Sequence, residues 1–146
     1  MTDGAEDVKV EVVEHPAQEE VDTVVRGLGA SNQERVELRE EWERRTLSAL
    51  ARRDERLVGG AIGQTAWGWL YIARLWVTPE LREKGIGSQL MAAIESAAQA
   101  RGCVGAWLDT FSFQERPFYE AVGYRQFAEL ADFPPGHIHH FLSKAL

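Results

Sequence analysis

At 146 residues the chain has the length of one domain, and 45% of it is apolar, enough for one sizeable core. That composition, with five Trp, excludes a disordered chain, and a formal charge of −7 argues against non-specific nucleic-acid binding, which needs a basic field. Cys103 is the single cysteine, so a disulfide scaffold is excluded and a cytoplasmic setting is expected. The opening M-T-D-G-A-E-D has no basic start and no apolar run, so no secretory leader is expected. No apolar run approaches the ~18 residues of a membrane span.

Residues 1–7 read as a frayed tail and 8–146 as the folded domain. Val8, Val10 and Val12 alternate with Lys9 and Glu11, which predicts a first strand over 8–13. Pro16 suits the first turn of a helix that runs to Arg26 and is stopped by Gly27 and Gly29. A second, highly charged helix is expected over 33–46, with Val36, Leu38 and Trp42 as its apolar stripe and Glu37, Glu40, Glu41 and Glu43 on a solvated face. Strands follow over 47–53 and 56–66, joined by a turn at Asp54-Glu55, with Gly59, Gly60 and Gly63 marking a bulge or close backbone packing.

Residues 67–77 are apolar on both sides. Trp69, Tyr71, Ala73, Leu75 and Val77 line one, and Leu70, Ile72 and Trp76 the other, with Arg74 the exception. A strand of that kind is central. The clearest helix spans 85–101, with Ile86, Leu90, Ile94, Ala97 and Ala98 at helical spacing and Gly102 as its stop. A strand over 103–110, a short helix over 117–122 ended by Gly123, and two closing strands over 124–130 and 137–142 complete the chain. The fold class is therefore α/β (α+β): a mixed, mostly antiparallel sheet of six to seven strands flanked by helices, with a parallel strand–helix–strand unit over 67–110.

The most informative segment is L-W-V-T-P-E-L-R-E-K-G-I-G-S-Q-L, residues 75–90. A buried strand ends at Val77 and a helix opens at Gly85 and Gly87. Free N–H groups at a helix start and its dipole favour an anion, and two glycines leave the approach clear. Arg82 and Lys84 add formal charge. The same residues also suit a plain capped helix with basic side chains in solvent. No G-x-x-x-x-G-K-[ST] occurs, and Leu90 stands where a dinucleotide fingerprint needs its third glycine.

V-x-P-x-x-R-x-x-G-I-G-x-x-L, here Val77, Pro79, Arg82, Gly85, Ile86, Gly87 and Leu90, resembles the acyl-coenzyme A signature of the GNAT N-acetyltransferases. Pro117-Phe118-Tyr119-Glu120-Ala121-Val122-Gly123-Tyr124 is similar to the family's F-Y-x-x-x-G-[FY] element. The resemblance spans roughly residues 8–144. It implies acetyl-CoA as acyl donor, with its pantetheine arm along Leu75, Trp76 and Val77. The pyrophosphate would meet the amides of Arg82, Glu83, Lys84, Gly85, Ile86, Gly87 and Ser88, and Ser112 and Phe118 would complete the cofactor site. It further implies that the two parallel strands splay to admit the arm and that an amine attacks the thioester directly from the opposite side. Two copies pairing through the terminal strands would fit similar proteins. No metal, nucleic acid or membrane partner is expected.

An amine of pKa ~10.4 must lose a proton before attack, and a departing thiolate benefits from an acid. The resemblance gives the acid role to Tyr119, whose other reading is packing at a helix–sheet junction. Several family members place a glutamate base on or beside the central strand, but no carboxylate lies between Thr65 and Thr78. Asp109, His137, His139, His140 or a water chain remain as bases. Each side chain also has a structural reading, a turn or capping carboxylate for Asp109 and exposed or structural imidazoles for the histidines. Ser112 and Glu115 replace the Asn and Ala that the family often carries seven and four residues before the tyrosine. The acceptor pocket is expected from the second helix, the turn after it, the strands around Trp67 and Trp69, and the closing strand pair. Trp42, Trp67, Trp69 and Trp76 read mostly as core. Turnover by an enzyme, acyl-CoA sensing without turnover, and simple phosphate binding are the functions in competition.

Overall fold

The computed structural model describes residues 4–146. The chain divides into two compact units, one ending at Leu38 and one beginning at Arg39. Of the tail expected over 1–7, residues 1–3 lie outside the described residues, and Ala5–Asp7 form one 3-10 turn.

The first unit differs from expectation in two ways. Residues 8–13 enter no ladder, so the predicted strand is absent. Alternation makes a strand only where a neighbour takes up its backbone hydrogen bonds. Helix α1 runs over Gln18–Arg35, straight through the expected stop. Glycine ends a helix by taking positive φ, and neither Gly27 nor Gly29 does so. At its start Glu20 Oε1 accepts the Ala17 N–H at 2.9 Å, and Gln18 Nε2 donates to Asp22 Oδ1 at 2.9 Å.

The helix expected over 33–46 is also absent. Its first residues finish α1, Glu40–Trp42 form a 3-10 turn, and strand β1 begins at Arg45. Three apolar residues are too few for a packed helical face, which is what stabilises most helices.

The second unit carries a six-stranded sheet built of β1 (Arg45–Arg53), β2 (Arg56–Ala66), β3 (Trp69–Val77), β4 (Gly105–Phe111), β5 (Arg125–Ala131) and β6 (Ile138–Ala145), in the order β1-β2-β3-β4-β6-β5. Only β3 and β4 are parallel, joined through α2 (Ile86–Ala100). The other pairs are antiparallel. Trp67 belongs to the β2–β3 turn rather than to the strand. Trp67 and Gly68 take φ of 56° and 79°, the two-residue turn that matches strand twist.

Helix α2 buries Leu90, Met91, Ile94 and Ala98 against Ala61, Leu70, Ile72, Ala106, Leu108 and Leu142 of the sheet. Gly102 ends it at φ 85°, with its N–H on Gln99 O. α3 (Arg116–Ala121) follows β4 and stops before Gly123 at φ 103°.

Beneath α3 a polar lock closes the core. Glu95 on α2 accepts the Tyr124 hydroxyl at 3.0 Å and Lys144 Nζ of β6 at 2.7 Å, and Lys144 also donates to Val122 O at 2.9 Å. Glu95→Ala would strand a buried hydroxyl and weaken the hold on an ammonium. We expect a loss of about 2 kcal/mol, read as a fall of about 6 °C in melting temperature.

The faces of β3 depart from simple alternation. Gly63 pairs with Ile72 while Ile62 pairs with Arg74, so Ala73 is an extra residue. A one-residue bulge reverses the alternation beyond it. Leu75 and Val77 therefore turn to the same side as Leu70 and Ile72 and pack on the core, while Trp69, Tyr71, Arg74 and Trp76 occupy the far side. Gly63 is required here, because a Cβ would overlap the Tyr71 carbonyl.

Candidate active site

The bulge coincides with an opening in the sheet. The β3–β4 ladder runs from Trp69–Gly105 to Ile72–Leu108 and stops. Beyond it β3 stays paired with β2 as far as Val77, and β4 with β6 as far as Phe111. Two strands held on their outer edges but not to each other leave a gap lined by backbone polar groups, which need partners. Leu75, Trp76 and Val77 line one side of this gap, and Asp109, Thr110 and Phe111 the other. Two groups at its margins already have partners: Val77 O accepts Arg82 Nε at 3.0 Å, and the Phe111 N–H donates to Gln114 Oε1 at 2.9 Å.

The start of α2 follows directly on the end of β3. The first intrahelical bond is Gln89 N–H to Gly85 O, so the amides of Ile86, Gly87 and Ser88 have no helical partner. Glu83, Lys84 and Gly85 donate to no group among the described residues. Glu83 and Gly85 take φ of 61° and 82°, which turns successive N–H groups into one concavity. Arg82 and Lys84 are exposed beside it, and the Arg82 Nη groups remain free among the described residues. A Cβ on Gly87 would come within 3.2 Å of Phe118 Cζ, so the two sequence motifs meet in space at this point.

Tyr119 lies on α3 against Phe118 and Tyr124, with ring centroids at 5.2 and 6.5 Å. Burial, and then the charge of Asp109, push its hydroxyl above the ordinary tyrosine range. It therefore stays protonated through neutral pH, as an acid must.

Asp109 is neither a turn nor a capping carboxylate. Its Oδ1 accepts the Tyr71 hydroxyl at 2.5 Å, and its Oδ2 lies 2.6 Å from His139 Nε2. Tyr71 stacks on Trp107 at 4.2 Å. Its hydroxyl is pushed up to about 12 by burial, then by the bond to Asp109 and by the charge of Asp109, while Arg74 opposes. The fold thus favours protonated Tyr71: its contribution is whole below pH 10 and is lost as pH rises towards 12. Melting temperature should fall across that window, and less steeply in Tyr71→Phe.

The three histidines do not converge. His139 shares the face of Asp109. His140 points to the other side, near Arg116 at 3.4 Å, and His137 meets Ser112 Oγ at 3.3 Å. Ser112 also accepts the Ile138 N–H at 3.3 Å, so much of its hydroxyl is committed within the protein. Glu115 stands at the N-cap position of α3 but makes no capping side-chain hydrogen bond. No group of three metal-binding side chains exists among the described residues, and none of their helices is long and apolar enough to cross a membrane.

The tryptophans are not core, contrary to expectation. Trp69 is 39% exposed and Trp76 51%, and Trp67 leans on Trp42 at 5.9 Å in a surface cluster. Trp69 and Trp107, with Phe127, Phe141 and Ser143, line a cleft of about 500 Å³ on the sheet face that carries Asp109. Cys103, just before β4, is buried, and that burial pushes its thiol up, which disfavours the reactive thiolate. Sequence reasoning missed Tyr71 altogether. The signal was a phenol three residues before an odd charge, Arg74, which is weak.

A sheet opened at one point beside a bare helix start offers unpaired backbone groups to a long ligand and an anion-binding turn next to them. The comparisons agree. The sequence profile of the Acetyltransferase (GNAT) family matches residues 15–124. A blasticidin-S acetyltransferase of Streptomyces morookaense is 43% identical over 91 residues, which is 62% of this chain and 67% of that one. An acetyltransferase of Agrobacterium fabrum is 37% identical over 97 residues, 66% of this chain and 71% of the other. The crystal structure of an acetyltransferase from Bacillus cereus superposes with a TM-score of 0.79 at 32% identity, covering 93% of this chain and 98% of its own. The chain belongs to the GNAT acetyltransferase family, and acetyl transfer from acetyl-CoA is its reaction.

Proposed function

We propose that the chain, through residues 8–146, acetylates a primary amine of a small cationic molecule of the aminated-antibiotic kind. The observation that carries the cofactor's placement is the end of the β3–β4 ladder at Ile72 and Leu108, next to a helix start with unpaired amides. In this reading the pantetheine arm pairs with the backbone of Leu75, Trp76 and Val77 across the gap. Its pyrophosphate rests on the amides of residues 82–88, with Phe118 and Ser112 at the margins. Tyr119 protonates the departing thiolate.

The acceptor class is supported by the 43% likeness to a blasticidin-S acetyltransferase, by the aromatic cleft of about 500 Å³, and by the acidic surface. Aromatic walls hold the flat or apolar body of such a molecule, and a cation over an aromatic face gains further attraction. A second copy adding along the free β5 edge, and a cytoplasmic setting, belong to the same reading.

The absence of a carboxylate between Thr65 and Thr78 favours one rival, an acyl-CoA sensor without turnover. One experiment separates the two. Acetyl-CoA should raise the melting temperature through linkage, while ATP and NAD should not. Thiol release should then follow when blasticidin S, an aminoglycoside or spermidine is added. A thermal shift with no thiol release from any amine would leave the sensor.

A further inference from the structure

The proposed reaction still needs a group to receive the amine and its first proton. Asp109 is the first residue of β4 beyond the last ladder pair, so it stands at the apex of the gap. Ala106 and Leu108 turn into the core, which places Trp107 and Asp109 on the face opposite α2. An acceptor entering from that face, against a cofactor arriving at the α2 start, would find the Asp109 carboxylate at the end of the ladder. The Asp109 side chain is 24% exposed. Each of its oxygens already accepts one hydrogen bond and retains a free lone pair.

The support behind Asp109 is unusual. His139 is 3% exposed and sits among Phe111, Phe133 and Phe141, with ring centroids at 4.4, 4.3 and 4.9 Å. Its Nε2 must carry a hydrogen to lie 2.6 Å from a carboxylate oxygen, a tautomer assigned from that contact. Its Nδ1 is buried with no partner. Leaving such an atom unpaired costs roughly 1–3 kcal/mol, which an apolar side chain there would avoid. What the imidazole supplies in return is one hydrogen bond that fixes the carboxylate. Tyr71, clamped on Trp107, supplies the second. The charged and titratable groups around Asp109 are Tyr71 from β3, His139 from β6 and Tyr119 from α3, with Arg74 of β3 acting on Tyr71.

We infer that Asp109 is the catalytic residue that binds the acceptor ammonium and takes its proton, with Tyr71 and His139 as positioning residues. This rests on the acetyl-transfer reading. The ammonium gives one proton to Asp109, and the freed nitrogen lone pair forms the N–C bond at the thioester carbonyl. On collapse the C–S bond breaks and the sulfur takes the proton of Tyr119. The second nitrogen proton restores Tyr119, and Asp109 releases its own to water. One ammonium and one thioester give one amide, one thiol and one proton.

The test uses the full chain with blasticidin S and spermidine as amine probes, read by thiol release and by the acetyl-CoA thermal shift. Asp109→Asn should lower kcat/KM for the amine about 30-fold near pH 7, within reach of general base effects, and leave the thermal shift unchanged. The deficit should shrink below about threefold as pH approaches the amine's own ~10.4, where no base is required. His139→Leu and Tyr71→Phe should each cost about fivefold to tenfold, and His139→Gln, which keeps an N–H donor, should recover most of the loss. A folded Asp109→Asn with near wild-type kcat/KM, or with a deficit that pH does not alter, overturns the inference and leaves acetyl transfer standing. Should that variant not fold, an indifferent Tyr71→Phe overturns it equally. A wild-type chain that releases no thiol with any amine overturns both.

Discussion

Gly87→Trp should abolish the rise in melting temperature that acetyl-CoA gives the wild-type chain. A ligand at a hundred times its Kd adds about 2.7 kcal/mol, or about 5–10 °C for a chain of this size. The variant should show none of it, a loss of affinity of at least about 100-fold. The cause is steric and local. Gly87 is the second residue of α2, its amide is among those without a helical partner, and a Cβ there already comes within 3.2 Å of Phe118. An indole at that point fills the concavity a diphosphate would occupy and also displaces Phe118. An unchanged far-ultraviolet spectrum would show that the sheet and helices survive. An unchanged thermal shift in a folded variant would move the cofactor elsewhere.

Tyr119→Phe should lower kcat about 100-fold while the acetyl-CoA thermal shift stays within about a degree. The substitution removes one hydroxyl and keeps the ring against Phe118 and Tyr124. It therefore separates chemistry from packing. The pH profile carries a second signature. Burial and Asp109 hold the Tyr119 proton above the ordinary range, so the acid is competent through neutral pH and is lost only as pH rises past 10. Wild-type kcat should fall on that alkaline limb, and the limb should be missing in the variant. Equal turnover by the two chains would reduce Tyr119 to a packing residue.

Local signals were the legible ones. The 3.6-residue rhythm of Ile86, Leu90 and Ile94, the glycine stop at Gly102, and the glycine pair at the helix start all act within a few residues, and the structure carries them as read. The parallel strand–helix–strand unit followed from an apolar central strand. Features set by a neighbour were not legible. Gly27 and Gly29 look like stops until their φ is known. Residues 8–13 alternate well but lack a partner strand.

The bulge at Ala73 reverses the faces of β3, yet its cause lies opposite, in the close approach of Gly63 to Tyr71. The same reversal carries Trp76 outward and Leu75 inward, which no count of alternating positions foretells. The carboxylate site assembles Tyr71, Asp109 and His139 from three strands. In sequence they are 38 and 30 residues apart, so only the register of β3, β4 and β6 brings them together.

Backbone amide spectra recorded during an acetyl-CoA titration address the cofactor's seat most directly. The resonances of Lys84, Gly85, Ile86, Gly87 and Ser88 should move furthest, as free N–H groups acquire phosphate oxygens, and those of Leu75, Trp76 and Val77 should follow as the gap in the sheet fills. Large shifts confined to the groove lined by Ala49, Ala51, Gln89 and Ala93, or to the β5 edge, with residues 82–88 unmoved, would contradict this account of where and how the donor binds.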